Sequence, residues 1–128
     1  MSSTNATGSK VREKRGSDRR PVLYRLDVTD REGTLFGYLV DISSGGMRVR
    51  CVSGKSVEDA AQLSVLLPRW MELGDELQFE GRFAWCRPHG EDRSEGGFVF
   101  SELREAQRSK LEDLLDRIAE AALEDSQL

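Results

Sequence analysis

The chain has 128 residues, of which 38% are hydrophobic and 33% are charged, and its net charge is −4. These values predict one soluble domain with a single hydrophobic core. A membrane-inserted protein is excluded, because no apolar run approaches the roughly 20 residues that a membrane span needs. The polar N-terminus lacks the apolar core of a signal peptide, so we expect a cytoplasmic protein.

The first twenty residues carry a charge opposite to that of the remaining chain. Residues 1–20 hold six Lys or Arg and two acidic residues, a net charge of +4, so the remainder carries −8. A basic arm on an acidic body indicates an anionic ligand contacted by the arm rather than a broad nucleic-acid face. We predict a disordered polar tail over residues 1–11 and a mobile arginine arm over residues 12–21, because neither contains apolar periodicity.

Residues 22–101 predict a series of short strands separated by turns. Apolar and polar residues alternate in segments that are bounded by Gly, Pro, Asp and Ser, at roughly ten-residue spacing. The predicted strand segments are, in chain order, VLYRLDV, TLFGYLVDI, MRVRC, QLSVLLP, ELQFEGRFAWCR and GGFVFSEL.

A single amphipathic helix is predicted over residues 102–124. Apolar residues at helical spacing form one stripe, with charged residues on the other side. The residues of this stripe are Leu111, Leu114, Leu115, Ile118 and Ala122. Six or seven strands followed by one helix predict a mainly β fold, a closed antiparallel barrel with the helix packed on it.

The loop DISSGG lies between two predicted strands and combines an acid and a hydroxyl with two glycines. Turn chemistry alone accounts for such a loop, because Asp and Ser bond their own backbone and Gly adopts positive φ. A ligand site accounts for it equally well. Asp41 and Ser43 are two residues apart and project on the same side of an extended chain, while Gly45 and Gly46 let a ligand approach the backbone.

The arginine arm contains two arginines that are four residues apart, Arg15 and Arg19. On a helix or an ordered loop their guanidinium groups converge on one anion. Arginine forks match phosphate oxygens and also the O6/N7 edge of guanine. A solvated basic tail is the alternative interpretation of this segment.

Together the two motifs resemble those of the PilZ domain family. An Arg-x-x-x-Arg motif is followed, at the family's distance, by an Asp-x-Ser-x-x-Gly motif. The matching residues are Arg15, Arg19, Asp41, Ser43 and Gly46. The segments GRFAW and GGFVF are also similar to the family, so the resemblance extends over roughly residues 12–120.

Membership of this family implies a bacterial cytoplasmic receptor for the second messenger cyclic di-GMP, with no catalytic activity and no cofactor. The implied fold is a six-stranded antiparallel PilZ-type barrel with a C-terminal helix. It forms a single domain over residues 12–125, in which the barrel spans residues 22–101. The arm would become ordered on the ligand and present a surface to a protein partner that the sequence does not identify.

The resemblance also implies roles for individual residues. The two motif arginines would bind guanine edges and phosphates, Asp41 would accept hydrogen bonds from guanine N1 and N2, and Ser43 would bond a phosphate or a guanine edge. The implied ligand-binding residues are Lys14, Arg15, Arg19, Arg20, Asp41, Ser43, Gly45 and Gly46. Two departures from the family pattern concern Asp18, which lies beside the arginines, and Lys14, which leaves the ligand stoichiometry open.

Other functions find less support in the sequence. A PilZ-like adaptor that binds a protein without a nucleotide stays open, although the intact motifs argue against it. Trp70 and Trp85 would be stacking platforms in an RNA-binding barrel, but the acidic body argues against a nucleic-acid partner, and we place Trp70 in a turn and Trp85 in the core of a strand. Cys51, Cys86 and His89 are too few for a tetrahedral zinc site, and a lone histidine supports no catalytic triad.

Overall fold

The computed structural model of the protein describes residues 19–53, 55 and 61–127. The predicted tail over residues 1–11 and the arm residues Lys14 and Arg15 lie outside this part of the chain. The elements are β1 (Arg20–Pro21), β2 (Asp27–Thr29), β3 (Leu35–Ile42), β4 (Gly46–Cys51), β5 (Gln62–Leu66), β6 (Glu76–Pro88), β7 (Ser94–Phe100) and α1 (Glu105–Gln127), with a 3₁₀ turn at Arg69–Met71.

The strands close into a six-stranded antiparallel barrel, which confirms the predicted fold class. Around the barrel the strands pair in the order β2, β3, β4, β7, β6 and β5, and β5 pairs with β2 to close the ring. The additional strand β1 pairs with the C-terminal end of β3. Closure pairs each of these six described strands on both sides, which removes the unpaired edges that promote aggregation.

The prediction of one continuous strand for VLYRLDV is wrong. This segment follows the edge of β3, but only its last two residues belong to β2. Between β1 and β2 the contact with β3 is irregular: the Val22 amide donates to the Val40 carbonyl, and the Leu39 amide donates to the Leu26 carbonyl. The partial alternation of the segment did not reveal this break, because it depends on pairing with β3.

The helix α1 begins at Glu105 and ends at Gln127, about three residues later at each end than predicted, and it packs all of its predicted apolar stripe except the partly buried Ala122 into the core. Leu111, Leu114 and Ile118 are almost fully buried. Two polar contacts, one heptad apart along one flank of this stripe, also hold the helix on the barrel: Lys110 Nζ donates to the Glu76 carbonyl and Arg117 Nε to the Met71 carbonyl, each at 3.0 Å. Among the residues that the structure describes, no helix has the length and apolarity to cross a lipid bilayer.

A β-bulge in β3 decides which way the DISSGG motif faces. Leu39 and Ile42 both lie in the core although they are three positions apart, and a regular strand would point them to opposite faces. The register shift between Leu39 and Asp41 inserts Val40 as an extra residue, and such an insertion reverses the facing of the residues that follow. Asp41 therefore lies on the outer surface of the barrel, opposite Arg48.

Candidate functional site

A surface cavity of about 510 Å³ lies beside the DISSGG loop. Five of the eight predicted ligand-binding residues line it: Arg19, Asp41, Ser43, Gly45 and Gly46. Arg20 lies next to it in β1, paired in register with Ile42. Lys14 and Arg15 lie outside the described residues. The end of the arginine arm and the loop, far apart in the sequence, thus meet in one concave site.

Asp41 lies between two arginines. Its Oδ1 accepts a hydrogen bond from Arg19 Nη1, and its Oδ2 forms an ion pair with Arg48 Nη2 at 2.9 Å. The Asp41 residue is only 5% exposed, and a buried carboxylate needs such partners to offset its loss of hydration. Sheet pairing places Arg19 here, because Pro21 of β1 stands opposite Asp41 of β3.

The surroundings of Ser43 are consistent with both interpretations of the loop, turn chemistry and a ligand site. Its hydroxyl donates to the Gly46 carbonyl and accepts from the Gly45 amide, each at 3.3 Å, and the residue is only 3% exposed. The hydroxyl therefore closes the turn, as turn chemistry predicts, while the residue lines the cavity.

The two glycines of the loop have different surroundings. A Cβ on Gly46 would lie 2.5 Å from the Phe98 carbonyl oxygen, so the close approach of β4 to β7 requires glycine at this position. A Cβ on Gly45 would meet nothing within 4 Å. The open backbone that a ligand can approach is therefore at Gly45.

Arg48 is a cavity residue that the sequence reasoning missed. Its alternation with the buried Met47 and Val49 predicted an outward side chain, and this orientation is what the structure shows. The sequence pattern did not show that Asp41 would be its neighbour, because only the register of β3 against β4 places Arg48 opposite Asp41.

Trp85 also lines the cavity, and its assignment to the core of a strand is wrong. The residue is 42% exposed. A register shift between Phe83 and Trp85 inserts an extra residue in β6, so Phe83 packs against Phe98 of the core while Trp85 faces outward. The indole occupies the space above Gly97, where a Cβ would lie 2.2 Å from its Nε1.

A second charged cluster lies beside the cavity, around Glu95. Its carboxylate accepts from Arg87 Nη2 at 2.8 Å and from Arg50 Nη2 at 3.1 Å. Burial alone would raise the pKa of Glu95, but the hydrogen bonds from Arg87 and Arg50 and the charge of Arg48 hold it below its usual value. The Arg87 guanidinium carbon lies 5.2 Å from the centre of the Trp85 ring.

The cavity combines a carboxylate acceptor, guanidinium donors, an open backbone and an aromatic wall. This set suits a ligand that has N–H donors, anionic oxygens and a flat ring. The described residues contain no group of three or more His, Cys, Asp or Glu that could hold a metal ion.

Comparison with known proteins shows where this architecture occurs. A family model described as "PilZ domain" matches residues 13–117. The PilZ domain with c-di-GMP of YcgR from Escherichia coli has a similar structure, with a TM-score of 0.68 and 16% identity, covering 85% of this chain and 94% of that chain. No curated protein matches the sequence.

Two further solved structures are longer proteins. The inhibitor of motility MotI/DgrA from Bacillus subtilis has a TM-score of 0.59 at 20% identity, over 83% of this chain and 49% of that chain. MrkH of K. pneumonia in its apo state has a TM-score of 0.62 at 12% identity, over 84% of this chain and 52% of that chain. The chain thus spans about half the length of these two proteins.

Proposed function

Since the chain belongs to the PilZ domain family, we propose that it is a bacterial cytoplasmic receptor for cyclic di-GMP. The observation that carries the proposal is the meeting of Arg19 and Asp41 in one cavity. These residues belong to the two motifs of the family resemblance, and they lie 22 positions apart. A solved PilZ domain of similar fold, that of E. coli YcgR, is described with c-di-GMP.

The chemistry of the cavity matches that of the proposed ligand. Guanine offers N1 and N2 donors, for which Asp41 supplies acceptor oxygens, and an O6/N7 edge that an arginine fork matches. The two phosphodiesters of cyclic di-GMP suit guanidinium groups. In the proposed complex, Arg19 turns from Asp41 towards the ligand, Arg48 keeps Asp41 paired, and a base packs against Trp85.

The proposed role is binding rather than catalysis. The described cavity offers paired charges and an aromatic wall, and in the proposal these groups hold the nucleotide without changing it. The solved structures of MotI/DgrA and MrkH are about twice as long as the region that this chain matches. We propose that a separate protein partner recognises the ligand-bound state of this chain. The residues of the cavity do not indicate which surface chemistry this partner has.

Calorimetric titration of the purified protein with cyclic di-GMP tests the receptor function. We expect saturable binding at a fixed salt concentration, and little or no heat from GTP or from a single-stranded RNA of equal charge. If cyclic di-GMP does not bind, the receptor proposal fails and a nucleotide-independent adaptor becomes the better description. RNA binding in preference to cyclic di-GMP would instead support the RNA-binding interpretation.

We also propose that ligand binding orders the part of the arginine arm that precedes Arg19, because Arg20 and Pro21 already pair with β3 in the absence of a ligand. Arg19 lies at the cavity next to β1. In the proposed complex Arg15, four residues earlier in the sequence, would contact the same anion, and Lys14 and Arg20 would add positive charge. The ordered arm would then form the new surface that a partner protein recognises. Ordering costs conformational entropy, which the charge-assisted contacts must exceed.

Hydrogen exchange of backbone amides should detect this ordering. Without the ligand, amides over residues 1–18 should exchange rapidly, because the segment is polar, charged and poor in apolar anchors. With cyclic di-GMP, exchange should slow around Arg15 and remain rapid over residues 1–11, which serve as the internal control. An arm that is protected to the same extent with and without the ligand would contradict the ordering mechanism.

A further inference from the structure

Glu95 is a buried carboxylate beside a cavity to which we assign an anionic ligand. It is only 3% exposed. It lies in β7 with Arg50 of β4 opposite on one side and Arg87 of β6 opposite on the other. Each of its two oxygens accepts from one of these arginines. The barrel register therefore builds an Arg–Glu–Arg row next to the row that contains Arg48 and Trp85.

The charge of Glu95 does not itself help the proposed ligand to bind. A negative group near an anion is unfavourable by Coulomb's law, and burying it adds a desolvation cost. A benefit must therefore come through the groups that Glu95 holds. Of its two arginine partners, Arg87 contacts a residue of the cavity wall, with its guanidinium carbon 5.2 Å from the Trp85 ring centre.

A contact of this kind restricts the orientation of the Trp85 indole. It lies on the outer barrel surface, above the bare backbone of Gly97, and it is partly exposed. An arginine over the ring attracts the indole electrostatically, but a long arginine side chain does so only if its own position is fixed. The hydrogen bond to Glu95 fixes it.

We propose that Glu95 is a positioning residue of the cavity, which holds Arg87 over Trp85 and thereby fixes the aromatic wall against which the ligand packs. The inference rests on the proposed function, because the benefit to affinity requires that cyclic di-GMP occupies the cavity. The fixed orientation of Trp85 itself does not require the ligand, and it can be measured separately.

The test compares Arg87→Gln with Arg50→Gln, both in a Trp70→Phe background in which Trp85 is the single tryptophan. Each substitution removes one positive charge and leaves Glu95 with one arginine partner, so the two variants are matched. Arg87→Gln should bind cyclic di-GMP about two- to five-fold more weakly than Arg50→Gln, the range expected for a cation–π contact. Without the ligand, acrylamide should quench Trp85 more strongly in Arg87→Gln and equally in Arg50→Gln and the parent.

The Glu95→Gln variant distinguishes a charge effect from a positioning role by the direction in which the affinity for cyclic di-GMP changes. If the carboxylate acted only by its charge, removing it beside an anion site would tighten binding, whereas the positioning role predicts weaker binding and stronger quenching of Trp85. Tighter binding by Glu95→Gln, or equal affinity and equal quenching in the two arginine variants, would overturn the inference. The exposed arginine variants decide the question even if Glu95→Gln folds poorly. Absence of binding by the parent protein would overturn the receptor function instead, while the ligand-free quenching would still test the positioning of Trp85.

Discussion

Replacing Arg19 by Ala should weaken the binding of cyclic di-GMP by about 10- to 100-fold. A bidentate arginine–guanine pair contributes about 1–3 kcal/mol, and each 1.4 kcal/mol corresponds to a factor of ten in affinity. Arg15→Ala should have a similar effect if both arginines of the motif bind the ligand. Lys at either position should restore only part of the affinity, because an ammonium group keeps the charge but lacks the planar fork. Calorimetric titration at one salt concentration measures these differences.

Arg12→Ala is the matched control, because it removes the same charge from the same arm outside the motif. It should cause only a small loss that disappears at high salt. The ligand-free Tm of Arg19→Ala should fall only slightly, since Arg48 still pairs with Asp41. A loss in Arg12→Ala as large as that in Arg19→Ala, or full rescue by Lys, would mean that the arm acts only as unspecific positive charge.

Asp41→Asn should also weaken binding by about ten-fold or more. The amide keeps the shape of the side chain, but it loses one of the two acceptor oxygens and the charge that strengthens hydrogen bonds to guanine N1 and N2, a loss of about 1.5–3 kcal/mol. It also leaves Arg19 and Arg48 without their common anionic partner. Both arginines are partly exposed, so we expect the free energy of unfolding to fall by only about 1 kcal/mol.

Asp27→Asn is the control for this change, because Asp27, the first residue of β2, pairs with Arg25 and does not line the ligand cavity. Removing a negative charge from a protein that binds an anion should by itself leave the affinity unchanged or raise it slightly. The expected loss in Asp41→Asn is therefore opposite in sign to a general charge effect. Titration of both variants, with Tm as the folding control, would reject the proposed contact if they bind equally well.

The fold class and the two motifs were accessible from the sequence because both depend on local patterns. Alternating apolar residues in segments bounded by turn residues predict short strands. The stripe of Leu111, Leu114 and Ile118 predicts the buried face of one helix. The loop of Asp41 and Ser43 could be recognised as a candidate site from the types and spacing of its residues, although its turn chemistry explains part of the same pattern.

The composition of the site depended on the register of strands that are distant in the chain. Alternation from Leu39 would point Asp41 into the core, and alternation from Phe83 would do the same for Trp85. A bulge in each strand turns the side chain outward. Such a bulge is stable because the residues on either side of it satisfy neighbouring strands and the core, and no pattern within a single strand reports those partners.

The sequence by itself therefore determined that this protein forms a barrel with one amphipathic helix, and that it carries an arginine motif and an acid–serine–glycine loop. Only the tertiary structure decided that Arg48 and Trp85 complete the cavity and that Glu95 stands between two arginines beside it. The physical reason is that hydrophobic periodicity is imposed on each segment by the face it buries. Contacts between polar side chains on the outer surface arise from cross-strand pairing, which is set when the whole barrel closes.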